Sequence, residues 1–393
     1  MKHTIKFSPV GNGDQSLIIL KDGTTMLVDC NIRQVSIDST DPLTFDVKKD
    51  LLKSTRKRDN NYYVDVFVLT HGDCDHCRGF KSNFYQGDPK KYSAKNREAN
   101  EIIVDEMWFS PMIAEEHTND DEDAYQTEAE RRLELHRTNH ADRDLPGNRI
   151  KIIGYDGNKE YSDLDHLRAI PGTVVNTFNT KVQDTFSVFI HAPFKEHLKS
   201  AEMDKNSTSI VFQARFKENA TDTKFSGLVM FGGDSDHYSW DIILKKTKKY
   251  ENDKKEQALD WDIFLAPHHC SWSFFNDRPQ EENPDPKETS LQVLDYKRPG
   301  GKIIASSKKI IDDTDNPPHY RAKQEYVKKL SGASDFLNTA VEPKESKPEP
   351  IIFEITASGV KRVTEGTTAS EKLNAAIAVA TSGIIKQPHC TND

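Results

Sequence analysis

The sequence lacks any run of about 18 apolar residues, so no segment of it reads as a membrane span. Its amino end, MKHTIKFSPVGNGD, has no apolar stretch of the signal-peptide kind, which leaves a cytoplasmic location as the expectation. Cysteine is scarce: five residues in 393, scattered as Cys30, Cys74, Cys77, Cys270 and Cys390. An odd number so dispersed makes a poor disulfide framework, and reduced thiols are expected. Positive charge is short as well, with 54 Lys and Arg against 63 Asp and Glu and a formal net charge of −9. That balance argues against a broad coat of phosphate contacts to nucleic acid, while leaving room for a local basic groove. No repeat is evident, and 35% hydrophobic content suffices for one large core or two ordinary ones.

What the chain does have is strand after strand. TIKFSPV and SLIILKDGTTMLVDC read as antiparallel sheet, with Asp22 and Gly23 at the turn. YVDVFVLT, residues 63 to 70, is dense in β-branched and aromatic residues and runs straight into THGDCDHCRGF. Residues 112–148 are highly charged and helix-forming, and predict a solvated helical insertion. TFSVFIHAPF, STSIVFQARF and FSGLVMFGGD are further strands, followed after Gly232 and Gly233 by a helix at WDIILKKTKK. WDIFLAPHHC and KIIASS repeat the pattern of a short apolar run ending in polar residues, and HYRAKQEYVKKL has amphipathic helical spacing. Interleaved strands and helices make this an α/β chain, read as one domain over residues 1–363. The small, Ser/Thr-rich residues 364–393 are expected to form a loosely held tail.

Four strand-like runs end in residues able to bind metal: Asp29 in LVDC, His71 to His76 in the THGDCDH loop, Asp234 in FGGD, and His268 with His269 in APHH. In an extended loop residues two apart point the same way, so His71 and Asp73 can serve one ion while Asp75 and His76 turn toward another. Imidazole and carboxylate suit Zn, Mn and Fe. Two such ions about 4 Å apart can hold a hydroxide and polarise both ends of a phosphodiester displacement, which makes hydrolysis the natural chemistry.

His71-x-Asp73-x-Asp75-His76 resembles the signature loop of the metallo-β-lactamase-fold hydrolases. Within that superfamily the resemblance is to the hydrolase domain of the competence DNA-uptake protein (the ComEC-like branch), which has Asp where β-lactamases carry a second His. VGNGDQSLII, FGGDSDHYSWDIIL, APHHCSWS and IIASSKKIIDDTDNPPHYRAKQEYVKKL are similar to that branch in the same order, so the likeness spans about residues 1 to 335. It implies a four-layer αββα metallo-β-lactamase sandwich with two divalent metal ions, Zn or Mn, at one edge of the sheets. Carried over by position, it puts His71 and Asp73 on the first metal, Asp75 and His76 on the second, Asp234 between them, and His269 as the late ligand. His268 is then free to give a proton or hydrogen bond to the phosphate or leaving group, although the neighbouring histidines could exchange roles. His191, ending a strand in the right order, would be a third ligand of the first metal. Asp14 and Asp29 match positions that hydrogen-bond the ligands from behind. Cys270 departs from the family's Gly and would narrow the site or add a soft neighbour. Asp73, a carboxylate in place of an imidazole, would favour Mn²⁺ or Mg²⁺.

Plainer readings compete. Asp14 and Asp29 could simply hold turns. Cys74-x-x-Cys77 has no partner pair at zinc-knuckle spacing and reads as incidental thiols. His117, His136, His140, His166 and His237 sit in charged or flexible context and read as surface histidines, and LKKTKKYENDKKEQ as a solvated helix end. The leading expectation is a metal-dependent phosphodiesterase or nuclease acting on DNA, with Asp75 orienting the nucleophile and His268 assisting the leaving group. The alternatives are a hydrolase of a small phosphodiester, a cyclic nucleotide or phosphocholine-type ester, which the −9 charge supports, and a non-catalytic binding protein on the same fold. A nucleic acid partner is expected, no membrane partner, and a protein partner could dock on residues 112–148 or on the tail.

Overall fold

Side-chain parity along the central strands decides the layering. In the computed structural model Val66 and Val68 face one hydrophobic cluster and Phe67 between them faces another. On Gly227–Phe231, Val229 and Phe231 likewise look one way and Met230 the other. The structure describes residues 1–38, 44–111, 119–154, 159–195, 205–254, 257–279 and 282–363. The expected tail, His117 and the start of the charged segment lie outside the described residues.

The strands form a ten-stranded and a seven-stranded sheet packed face to face. The first runs from the hairpin Ile351–Thr356 and Gly359–Val363 through His3–Phe7, Ser16–Ile19 and Thr25–Val28 to Asn61–Val68, Ile103–Phe109 and Arg149–Ile153. The second orders Phe336–Asn338, Lys297–Ala305, Trp261–Leu265, Gly227–Phe231, Val211–Phe216 and Phe186–Ala192. Phe7, Phe212, Phe231 and Phe353 fill the space between the sheets. Phe80, Tyr125 and Leu133 cover the outer face of the first sheet, while Trp240, Leu294 and Tyr326, on the helices His237–Lys254, Glu288–Asp295 and Tyr320–Lys328, cover that of the second. The result is the expected four-layer αββα sandwich.

The charged segment is helical, over Asp120–Arg137, but it is a layer of the sandwich rather than a solvated appendage. Tyr125, Ala129 and Leu133, four residues apart, seal one stripe of it onto the first sheet. Arg132, also buried, is held by Glu128 at 2.7 Å. No described helix is long and apolar enough to cross a membrane.

Both sheets change from antiparallel to parallel pairing beside the strands that feed the expected site. Thr25–Val28 pairs in parallel with Asn61–Val68, and Gly227–Phe231 with Trp261–Leu265. Parallel neighbours end side by side, so Asp29 lands next to the His71 loop and Asp234 next to His268 and His269. The two pairs of strand ends then meet across the sandwich.

Candidate metal centre

The loop after Asn61–Val68 is fixed mainly by backbone. Cys74–Cys77 forms a single helical turn in which the amides of His76 and Cys77 donate to the Asp73 carbonyl. The amide of Cys30 donates to the His76 carbonyl at 2.8 Å, and that of Asp14 to the Asp75 carbonyl at 3.2 Å. Gly13 makes the second approach possible. It lies at φ +131°, and a Cβ there would stand 2.0 Å from Asn31 Nδ2 and 2.5 Å from the Asp75 carbonyl.

Asp29, at φ +56°, turns its carboxylate into the loop. It accepts from the Thr70 amide and the Thr70 hydroxyl, both at 2.7 Å, and sits 2.8 Å from Nδ1 of His76. This fixes the ring so that Nε2 faces the other sheet, where Asp234 Oδ1 is 3.0 Å away and His269 Nε2 3.2 Å. Asp234 follows Gly232 and Gly233, and its amide donates to Ser209 Oγ at 3.1 Å. Its carboxylate is the hub: Oδ2 lies 3.5 Å from His71 Nε2, 3.6 Å from His269 Nε2 and 3.7 Å from His268 Nε2.

Three consecutive left-handed residues, His268 (φ +49°), His269 (+53°) and Cys270 (+71°), end the strand Trp261–Leu265. L-residues rarely adopt this conformation, and strain of this kind persists only where the surroundings hold it. Here the amide of His268 donates to the Gly233 carbonyl and that of His319 to the Cys270 carbonyl. The turn sends His269 inward, 3.2 Å from Asp75 Oδ2 and 3.6 Å from Asp14 Oδ1, and leaves His268 on the wall of an open cavity of about 450 Å³.

Among the described residues two sets of donor atoms emerge, each with all its atoms within 4.8 Å: Asp14, His76, Asp234 and His269, and His71, Asp73 and Asp234. They share Asp234. The electrostatics of the cluster suit a cation. Burial works against charge on Asp234, yet the facing His269, His76, His268 and His71 hold it well below the usual carboxylate range. Burial would lower His71, but Asp234 and Asp73 bring it up to about 9; burial would lower His269 too, but Asp234, Asp14 and Asp75 carry it to about 10. Proton affinity and carboxylate charge in the cluster balance one another. A divalent cation replaces such protons directly, and a Asp/His set of this kind suits one. His71 Nε2 is buried and has no hydrogen-bond partner, the two carboxylates near it lying at 3.5 and 3.7 Å. The residues fit divalent metal.

Several expectations need correction. His191 does not join the cluster: Ile190 occupies the inter-sheet face, and the His191 ring turns to the helical side, against Phe189 with Nδ1 3.3 Å from Thr247 Oγ1. Burial, with Arg215 nearby, lowers its pKa to about 3. The Cys270 side chain packs into the helix-side core with Phe274 and Tyr326 and neither narrows nor softens the site. His237 is buried, at 5% exposure, on the cavity wall rather than on the surface. Asp75 stands beside the donor sets instead of within them, its side chain 31% exposed. Asp29 stands behind His76, whereas Asp14, expected behind the ligands as well, is itself a member of a donor set. Sequence reasoning missed the cavity, whose wall includes Tyr238, Asp277 and His319; FGGDSDHYSW and NPPHY were its signals.

No model of a known protein family matches the chain, and no curated protein does. Among solved structures it is similar to Igni18, described as a novel metallo hydrolase from the hyperthermophilic archaeon Ignicoccus hospitalis KIN4/I. The identity is 14% and the TM-score 0.39, over 90% of this chain and all of that one. A likeness of that degree says nothing of chemistry, which rests on the residues above.

Proposed function

We propose that the chain is a metal-dependent hydrolase of phosphodiesters, with DNA as its substrate. The observation that carries the hydrolase reading is the pair of donor sets sharing Asp234, placed where both sheets end and beside an open cavity. Divalent ions bound there would supply water activation and neutralise charge developing on the phosphoryl oxygens. His71, Asp73 and Asp234 would hold one, and Asp14, His76, His269 and Asp234 the other. Asp75, 31% exposed and 3.2 Å from His269, would orient the attacking water. His268, its Nδ1 3.2 Å from Ser273 Oγ and its ring on the cavity wall, would protonate the departing oxygen. What supports DNA is the resemblance of the four strand-end motifs to the competence-protein branch. One observation favours a second reading, a small phosphodiester: the cavity, though open, measures about 450 Å³, a size that suits a small ligand.

The deciding experiment incubates the purified chain and Mn²⁺ with end-labelled single- and double-stranded DNA and with a chromogenic bis-phosphodiester, beside an Asp75→Ala, His76→Ala double variant. Metal-dependent DNA cleavage lost in the variant supports the nuclease. Turnover of the small diester with DNA intact moves the assignment to the second reading, and turnover of neither overturns both.

A further inference from the structure

A line of hydroxyls leads from Nδ1 of His268 to the side chain of Asn316, and every link in it runs one way. The far end settles the direction. Asn316 Oδ1 lies 3.0 Å from the Trp272 amide nitrogen, and a backbone N–H can only donate, so that atom of Asn316 is its carbonyl oxygen. Ser271 Oγ stands 2.8 Å from the same oxygen and gives its one proton to it. Ser273 Oγ is 2.9 Å from Ser271 Oγ, whose proton is already used, so Ser273 donates in that pair. The Ser271 oxygen also accepts the Ser273 amide at 3.1 Å. With its own proton given to Ser271, Ser273 Oγ is left to accept from His268 Nδ1, 3.2 Å away.

This count fixes the tautomer. Nδ1 of His268 carries a proton, and in the neutral ring Nε2 therefore presents a lone pair. That nitrogen faces the donor cluster, 3.7 Å from Asp234 Oδ2. Both ends of the line are tied down. The Ser271 amide donates to the His268 carbonyl at 2.9 Å, closing the turn that carries the ring. At the other end Asn12 Nδ2 donates to the Pro317 carbonyl at 3.0 Å, and Asn12 Oδ1 accepts the Lys308 amide at 3.0 Å. The loop that carries Asp14 thus also holds the segment that carries Asn316. A chain of neutral acceptors orients the imidazole without adding a negative charge beside Asp234.

We infer that Ser273, Ser271 and Asn316 are positioning residues that hold His268 with a proton on Nδ1 and with Nε2 as the nitrogen that serves the leaving oxygen. The inference rests on the metal-dependent phosphodiesterase reading and names the residues through which His268 acts. In the step itself the P–O bond breaks with its electron pair on the departing oxygen, which takes the Nε2 proton of the imidazolium. The ring left behind is neutral, keeps its Nδ1 proton, and regains the other from solvent. Nδ1–H donates to Ser273 before and after, so the ring need not turn between turnovers. Such a device matters for an alcohol leaving group such as a sugar hydroxyl, and little for a nitrophenolate, which departs without a proton.

Two measurements on the intact, metal-loaded chain test this. The first reads the ¹⁵N signals of histidine-labelled, Zn²⁺-loaded protein at about pH 8, above the ordinary histidine value, with His268→Gln as the variant that assigns the ring. Expected are a protonated Nδ1 and a bare Nε2 in the wild type, a shift toward the opposite tautomer in Ser273→Ala, and a return to the first in Ser273→Thr, which restores the hydroxyl. A bare Nδ1 in the wild type, or an unchanged ring in Ser273→Ala, overturns the inference. The second compares kcat on a dinucleoside monophosphate and on a bis-nitrophenyl phosphate. Ser273→Ala should cut kcat about tenfold on the first and by a several-fold smaller factor on the second. Equal losses on both diesters would reduce Ser273 to a structural role and sink the proposal. A wild type that cleaves neither diester, with the tautomers read as expected, would overturn the hydrolase reading and leave the hydroxyl line standing.

Discussion

The Asp29 carboxylate lies 2.8 Å from Nδ1 of His76, and the same ring presents Nε2 to Asp234 at 3.0 Å. One buried acid thus sets the tautomer and aim of an imidazole that belongs to the donor cluster. Asp29→Asn keeps the shape but turns an acceptor into a mixed donor and acceptor. The expected result is a loss of metal affinity of about 10–100-fold with the fold intact, read by metal titration and circular dichroism. Unchanged affinity would mean that Asp29 only braces Thr70.

Because both donor sets use Asp234, its replacement should act on both ions together. Asp234→Asn is expected to lower bound metal toward zero per chain in elemental analysis, whereas Asp73→Asn, which touches one set, should leave about one ion. Two ions retained by Asp234→Asn would refute the shared site.

Metal addition should stabilise the chain by mass action, raising its melting temperature with ion concentration. The carboxylate at Asp73 hardens one donor set, so Mn²⁺ should support activity at least as well as Zn²⁺ in stripped protein. Reactivation by Zn²⁺ alone would contradict that.

Acid should destabilise the fold through histidines far from the cluster. Burial, aided by Arg215, holds His191 at about 3, and burial with Lys21 holds His3 at about 4. Between those values and the ordinary value of about 6.5 the unfolded chain binds protons that the fold refuses. Their contribution is therefore complete above about pH 6.5 and is lost as pH falls through the window. In urea unfolding from pH 7 to 4, His191→Leu should reduce the slope of stability against pH by up to about 1.4 kcal/mol per unit. An identical slope would show that His191 does not titrate this way.

Gly13→Ala should be costly. The added carbon meets Asn31 and the Asp75 carbonyl at 2.0 and 2.5 Å in a backbone conformation that disfavours alanine. Stability should fall by about 2 kcal/mol or more, and metal binding should weaken with it, because the displaced carbonyl belongs to the metal loop. A thermal unfolding curve that overlays the wild type would exclude this role.

The site residues Asp29, His71 to His76, Asp234 and His269 were legible in the sequence because polar residues stand out where an apolar strand stops. Which way a strand-borne side chain looks was not. His191 ends a strand in the right order, yet Ile190 takes the inter-sheet face and parity sends the histidine to the helices. Cys270 was misplaced for a related reason, since three left-handed residues in a row cannot be foreseen from PHHC. In the charged segment, abundant Asp, Glu and Arg masked Tyr125, Ala129 and Leu133, whose spacing of four was the better guide. The cavity, assembled from loops distant in sequence, left only fragments to read.

The hairpin Ile351–Thr356 and Gly359–Val363 extends the first sheet beside His3–Phe7, with Thr4 opposite Glu354. On the ribosome, the strand His3–Phe7 waits for the residues from Ile351 onward before its outer edge is covered. Until then a row of unsatisfied amides and carbonyls is available to any neighbouring nascent chain. Truncation before residue 351 should therefore show itself as aggregation during synthesis, even though every residue of the two donor sets would still be encoded.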